Sequence, residues 1–324
     1  MEEDLRKTII MVAVCGFCSA LLMLARLAMR KVRRQGFNLS DYLTMVALAC
    51  LASRTAFTTV VVLWGNNNLT AADRASKLFT AVEIYQREVG SKLTLVNRIT
   101  YNTYIWIQKA VVLLLYRRML DGLPQPHHIM NFYWAFLAVT YVVVQSVTFV
   151  ECHPFYLYWQ VVPPPGKCQQ ALVQLIVFVT LNIVTDILLI ILPMPWLIRM
   201  KISLKRRLSL VGLFSIGFLL IAVAIARLPI YGNGTSQVNR NTWGSVEEFA
   251  AAFVANVPTL FALRHQPATV DNTSFHNNRH SEMAGFRNIS EEGITVTHCI
   301  ELRRDTIGNS KDPEGLEVVC VEQV

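Results

Sequence analysis

Apolar residues fall in seven long blocks separated by polar segments, at about 8–29, 42–64, 101–120, 131–150, 170–198, 208–231 and 245–263. A helix needs roughly 20 residues to cross a hydrocarbon core about 30 Å thick. Backbone polar groups in lipid must bond within their own segment, so each block is predicted to be a helix. The first, second, fifth and sixth blocks are the most uniformly apolar. Gln108 and Lys109 lie within the third, and Gln145 interrupts the fourth. The seventh, SVEEFAAAFVANVPTLFAL, is short and opens on Glu247 and Glu248. Acids there suit the partial positive charge of a helix N-terminus. The first block is too long for the core of a secretory signal, lacks a small-residue cleavage pattern, and stops at Arg30, Lys31, Arg33 and Arg34. It is therefore predicted to be a retained helix. The expected fold is all-α: a polytopic seven-transmembrane bundle over 1–263, followed by a polar, disordered tail over 264–324.

Composition agrees with a bilayer as the main solvent. Of 324 residues, 53% are hydrophobic and only 16% charged, with a mean hydropathy of +0.39; a soluble domain carries about a quarter charged residues. The net charge of +8 would suggest nucleic acid in a soluble protein. Here most basic residues flank apolar blocks, and no recognition helix, zinc finger or RNA-stacking motif is present. Charge sets orientation instead. Eleven basic residues lie in one set of short loops: Arg30, Lys31, Arg33, Arg34, Arg117, Arg118, Arg199, Lys201, Lys205, Arg206 and Arg207. The alternate loops hold seven and are longer. The positive-inside rule puts the first set in the cytosol, the N-terminus outside and the tail inside, with the plasma membrane as the default location.

Two further signals follow from that orientation. Cys152 and Cys168 share one outer segment, CHPFYLYWQVVPPPGKC. An oxidising compartment lets them pair, and closing such a loop contributes roughly 3 kcal/mol. Glycosylation sequons at Asn68 and Asn233 fall outside; those at Asn38, Asn272 and Asn288 fall inside and are expected to stay unused. The first outer loop contains a mixed-charge stretch, NLTAADRASKLFTAVEIYQREVGSKL, suited to a short interfacial helix. In the tail, His276 and His280 have helical spacing but no further ligands nearby, so no metal is expected.

The chemistry concentrates on charge inside the blocks. Asp186 lies midway along the fifth. Intramembrane ionisable groups are costly, face the bundle interior and pair. Lys109, Arg54 and Arg227 are the available cations, and Lys109 comes first because its depth matches. Asn182, one helical turn before Asp186, joins this group. The five residues form either a structural ion-pair network that fixes helix register or a polar ligand pocket or proton-coupled switch. Pro193 and Pro195 remove two backbone donors and end the fifth helix or hinge it. Trp196 behind them suits the interface, and the basic run Arg199 to Arg207 attracts anionic lipid.

Several motifs together resemble one family. They are Asp41, KAVVLLLYRRM (109–119), CHPFYLYW, NIVTDILLIILPMPWLIRMKISLKRRLSLVGLFSIG (182–217), Arg227 and WGSVEEFAAAFVANVPTL (243–260). The chain resembles the fungal rhodopsin-like integral membrane proteins, a family that includes Pth-type surface-sensing receptors and the satratoxin-cluster membrane protein. Members often carry a Gly-x-Gly-x-x-His-like stretch after the second span. Here that stretch reads WGNNNLTAADR, with one Gly and no His. The resemblance implies seven helices and little about activity.

Four functions compete. A receptor-like sensor fits the topology, with a small lipophilic ligand as its partner. Coupling to G proteins is unsupported: LYRRM stands where Asp-Arg-Tyr would follow span three, and span seven has only NVP. Retinal is not expected, because residues 245–263 contain no lysine for a Schiff base. A membrane-embedded accessory protein or cyclase-like enzyme of a secondary-metabolite pathway is the alternative, with Asp186, Glu151 or Glu247 as acid in a dry pocket. Glu151 and Glu247 sit at span ends, where solvation is expected. A transporter ranks last, since only one helix reads as broken. No cofactor is expected, and catalysis is the weaker reading.

Overall fold

The computed structural model describes residues 2–34, 36–69, 79–119, 127–166, 170–194, 237–265, 298–302 and 317–321. The larger unit, Met1–Val270, contains six described α-helices: α1 (Glu2–Val32), α2 (Leu39–Trp64), α3 (Ala81–Met119), α4 (His127–Val150), α5 (Leu172–Ile191) and α6 (Gln237–His265). A short 3-10 turn, Phe155–Tyr158, lies between α4 and α5. The predicted sixth span, 208–231, lies outside the described residues, as do Arg227, Asn233, Pro195, Trp196 and the basic run Arg199 to Arg207.

Among the described residues, four helices are long and apolar enough to cross a membrane: Arg6–Val32, Leu39–Trp64, His128–Val150 and Leu172–Ile191. Their surface is the reverse of a water-soluble protein's. Phe17 is 68% exposed, while Arg26 is 1% exposed. Leu21, Phe132, Val139 and Ile176 also face outward; Arg54, Lys109, Asp186, Glu247 and Glu248 are buried. Exposed apolar side chains on this scale fit hydrocarbon surroundings, and charged groups in such a protein turn inward and pair. The chain is a multi-pass membrane protein.

Helix α3 holds the bundle together, packing on α2, α4 and α6, while α1 packs on α2 and α6, and α4 on α5. It has 39 residues, or about 58 Å at 1.5 Å per residue, roughly twice a hydrocarbon core. Of the stretch expected to hold an interfacial helix in the first outer loop, 70–78 lie outside the described residues, and the part from Ala81 onward forms the first turns of α3. A capping box starts it: Glu83 Oε2 accepts the Thr80 N–H at 2.9 Å, and Thr80 Oγ1 accepts the Glu83 N–H at 3.3 Å. A Lys92–Glu88 pair one turn apart adds to the exposed face.

The turn after α2 fits closely against α3. Gly65 has φ 75°, open to glycine without strain. A Cβ on Gly90 would lie 2.0 Å from Gly65 O, so only glycine allows this approach. Asn67 then fastens two loops: its N–H donates to Ser91 Oγ at 2.9 Å, and its side-chain amide to Tyr158 O at 3.0 Å and Gln160 O at 3.2 Å. The stretch WGNNN thus has a packing role.

At the far end of the bundle, α5 gives up regular helix at Ile191, with Leu192 as its cap, just before Pro193. Pro258, by contrast, lies inside α6, which continues through it.

The second unit, Asp271–Val324, was expected to lack regular structure. It contains two strands, β1 (His298–Leu302) and β2 (Glu317–Val321), paired antiparallel with Cys299 opposite Cys320. Both are short runs rich in Val, Ile and Leu, compositions that favour strand pairing over coil.

Candidate functional site

A chain of buried charges runs through the helices. In α3, Lys109 points at α5, where its Nζ lies 2.5 Å from Asp186 Oδ1. The same ammonium donates to Thr185 Oγ1 at 2.7 Å and Asn182 O at 2.8 Å. Its three donors are therefore all used, which offsets the cost of a buried cation. The face that supplies these acceptors follows from helical spacing: Asn182, Thr185 and Asp186 are three and four residues apart.

The network continues into α6. Asn182 Nδ2 donates to Glu247 Oε1 at 2.8 Å, and Tyr101 OH donates to Glu247 Oε2. Glu248 pairs with Arg54 of α2, and Tyr104 OH donates to Glu248 O at 3.2 Å. The Arg54 guanidinium also lies 4.6 Å from the Tyr101 ring centroid, a cation–π contact. Thus Lys109, Asn182 and Asp186 come together, while Arg54 takes a different acid, Glu248. Arg227 lies outside the described residues.

Glu247 corrects an expectation. As the third residue of a span beginning at 245, it should have been solvated, but it is buried, as is Glu248. The helix starts at Gln237, so Glu247 lies about 15 Å along α6 instead of at its rim. Glu151 stays partly exposed and caps α5: its carboxylate accepts the Val173 N–H at 3.0 Å and the Gln174 N–H at 3.1 Å.

Between α3, α5 and α6 the network borders a cavity of about 50 Å³, lined by Gln108, Lys109, Asn182, Asp186 and Glu247 with apolar neighbours such as Val254. A water needs roughly 10–15 Å³ by this measure, so the space suits a few waters or one small polar group. Two buried oxygens on its lining, Gln108 Oε1 and Asn182 Oδ1, have no hydrogen-bond partner. An orphaned buried acceptor costs about 1–3 kcal/mol, which gives the cavity a preference for a donor.

Sequence reasoning did not single out a second charged cluster. Arg26 Nε lies 3.3 Å and Arg30 Nε 3.2 Å from the two oxygens of Asp41. Arg26 also donates to Ser40 Oγ at 2.5 Å, Ala255 O at 3.3 Å and Asn256 Oδ1 at 3.2 Å, binding α1 to α2 and α6. The available signal was an arginine inside the first apolar block, four residues before its basic stop.

Across the opposite loops, Cys152 is buried beside Tyr158 and Leu95. Tyr158 OH donates to Thr148 O at 2.7 Å and accepts the Cys152 N–H at 3.3 Å. Burial pushes the Tyr158 phenol above its ordinary pKa. Free thiols among the described residues are Cys15, Cys18 and Cys50, and Cys168 lies outside the described residues. Asn68 follows Asn67 in the turn after α2, and the tail's His276 and His280 are outside the described residues.

The profile of the fungal rhodopsin domain matches residues 25–266, about three quarters of the chain. The protein is a member of the fungal rhodopsin family. Neither a curated protein nor a solved structure matches it. The match to this family covers the last turns of α1, all of α2 to α6 and the described charged network, leaving most of α1 and the tail outside. Within this fungal rhodopsin domain, α6 contains no lysine, and the Lys109 amine is engaged by three oxygens.

Proposed function

We propose that this fungal rhodopsin-domain protein is a receptor-like sensor without retinal, in which the polar cavity of α3, α5 and α6 registers a small ligand. The single observation carrying this is the pair of orphaned acceptors, Gln108 Oε1 and Asn182 Oδ1, beside a network linking α2, α3, α5 and α6. A donor entering there would meet acceptors that lack a partner and shift the hydrogen bonds of Asn182, which touches α3 and α6 at once. Ligand pockets for drug-sized molecules measure about 300–1,000 Å³, so a lipophile could place only a small polar end here unless the helices part. That parting is the signal in this proposal.

The same geometry weighs against a cyclase-like role. A proton-donating acid must be free to approach substrate, yet Asp186 is held by Lys109, Glu247 by Tyr101 and Asn182, and Glu248 by Arg54. The wider proposal includes seven spans with the N-terminus outside, a Cys152–Cys168 bridge, glycans at Asn68 and Asn233, and residence in the plasma membrane. The resemblance to surface-sensing members supports it.

The test uses the full chain in nanodiscs and a panel of small lipophilic alcohols, amines and amides. A ligand at 100 times its Kd stabilises a folded protein by about 2.7 kcal/mol. The sensor reading expects at least one compound to raise the unfolding temperature, with the shift lost in Asn182→Leu. Conversion of a compound to a new product, seen by mass spectrometry, would move the assignment to the enzyme. Equal shifts in wild type and Asn182→Leu would remove the cavity from the account.

A further inference from the structure

The geometry points to a second site, a phosphate-binding pocket where α1 and α3 end and α2 begins, suited to the phosphorylated headgroup of an anionic lipid. A cavity of about 420 Å³ there is lined by Arg26, Arg30, Arg117, Arg118, Asn38 and Ser40, among others. That volume lies within the range of ordinary ligand sites. The lining holds four arginines and no carboxylate. The nearest acid, Asp41, is fully buried and already shared by Arg26 and Arg30, so it cannot neutralise Arg117 and Arg118 as well. Those two are exposed in the last turn of α3 and make no ion pair among the described residues.

Two features single out phosphate as the ligand chemistry. Guanidinium groups bind phosphate oxygens bidentately, with short charge-assisted bonds. Arg26 is a fixed positive charge on the wall: Asp41, Ser40, Ala255 O and Asn256 take four of its five N–H donors, which leaves the bidentate contacts to Arg117 and Arg118. The N-terminus of α2, beginning at Leu39, borders the same wall but is already capped by Asp41, which accepts the Asn38 N–H at 3.1 Å, so the arginines carry the site. Basic pockets between membrane helices are suited to phosphorylated lipid headgroups, and the positive-inside expectation puts this end on the leaflet that carries them. This site is separate from the Asn182 cavity, and it stands or falls independently of the sensor proposal.

The experiment uses the detergent-solubilised full chain and three probes: short-chain phosphatidylinositol bisphosphate, short-chain phosphatidylserine and inorganic phosphate. Arg117→Gln with Arg118→Gln removes two exposed charges from the pocket without touching the buried Asp41 cluster. Lys31→Gln with Arg34→Gln removes the same charge from positions off its lining. The site requires tighter binding of the bisphosphate lipid than of phosphatidylserine, and a loss of about tenfold or more in the first double variant but not the second. Displacement of the lipid by inorganic phosphate would assign recognition to the free anion, and its failure to displace would assign it to the lipid; both keep the pocket. Equal losses in both double variants, no loss in either, or equal binding of the two lipids would overturn it.

Discussion

Lys109 Nζ lies 2.5 Å from Asp186 Oδ1, joining α3 to α5 across the interior of the bundle. The pair is buried on both sides, so its members cannot be removed separately without leaving a charge unmatched. Replacing one partner of a buried pair costs about 3–5 kcal/mol, while replacing both by apolar residues is often near neutral. We expect Lys109→Met and Asp186→Leu each to lower unfolding stability in detergent severely, and the double variant to recover most of the loss. Additive losses in the cycle would mean the two residues act independently.

Asp41 is shared by two buried arginines, which makes it the more sensitive end of its cluster. Asp41→Asn leaves two guanidinium groups without a counter-charge; Arg30→Gln leaves Arg26 and Asp41 paired. The expected order is a loss of about 3 kcal/mol or more for Asp41→Asn and clearly less for Arg30→Gln. Folded yield and unfolding midpoint measure it, and a reversed order would contradict the shared-acid geometry.

Glu151 should behave as a cap. Its carboxylate holds the Val173 and Gln174 amides. Glu151→Ala should cost about 1 kcal/mol and speed hydrogen exchange at those two amides while leaving the centre of α5 unchanged. Unaltered exchange at Val173 and Gln174 would show that the cap carries no weight in solution.

Gly90→Ala should be damaging. The added Cβ meets backbone, Gly65 O at 2.0 Å, where no flexible side chain can yield. Overpacking of this kind costs about 1–3 kcal/mol. Gly36→Ala, with open space around it, is the matched control, and similar thermal midpoints for the two variants would rule out the close approach.

Much of this architecture could be read from the residues. The blocks that became α1, α2, α4 and α5 needed only length and hydropathy, because their lipid-facing residues outnumber the rest. The match in depth between Lys109 and Asp186 followed from counting residues back from Arg117. Glu247 and Glu248 were less legible, because acids near an apolar block's edge look the same whether the helix starts at 245 or at Gln237. Eight residues of polar helix, QVNRNTWG, moved them from the rim to the interior. The outer half of α3 was underestimated in the same way, although Thr80 and Glu83 already formed a readable start signal. Arg26 was hidden for a different reason: its partners Asp41, Ala255 and Asn256 lie on two other helices, and no local spacing rule connects them.

The amide of Asn67 clasps the backbone at both Tyr158 and Gln160. One side chain thereby stitches the loop after α2 to the loop after α4, and Gly65 with Gly90 pins that seam to α3. Losing that side chain would therefore release both carbonyls, and the two loops they belong to, at once.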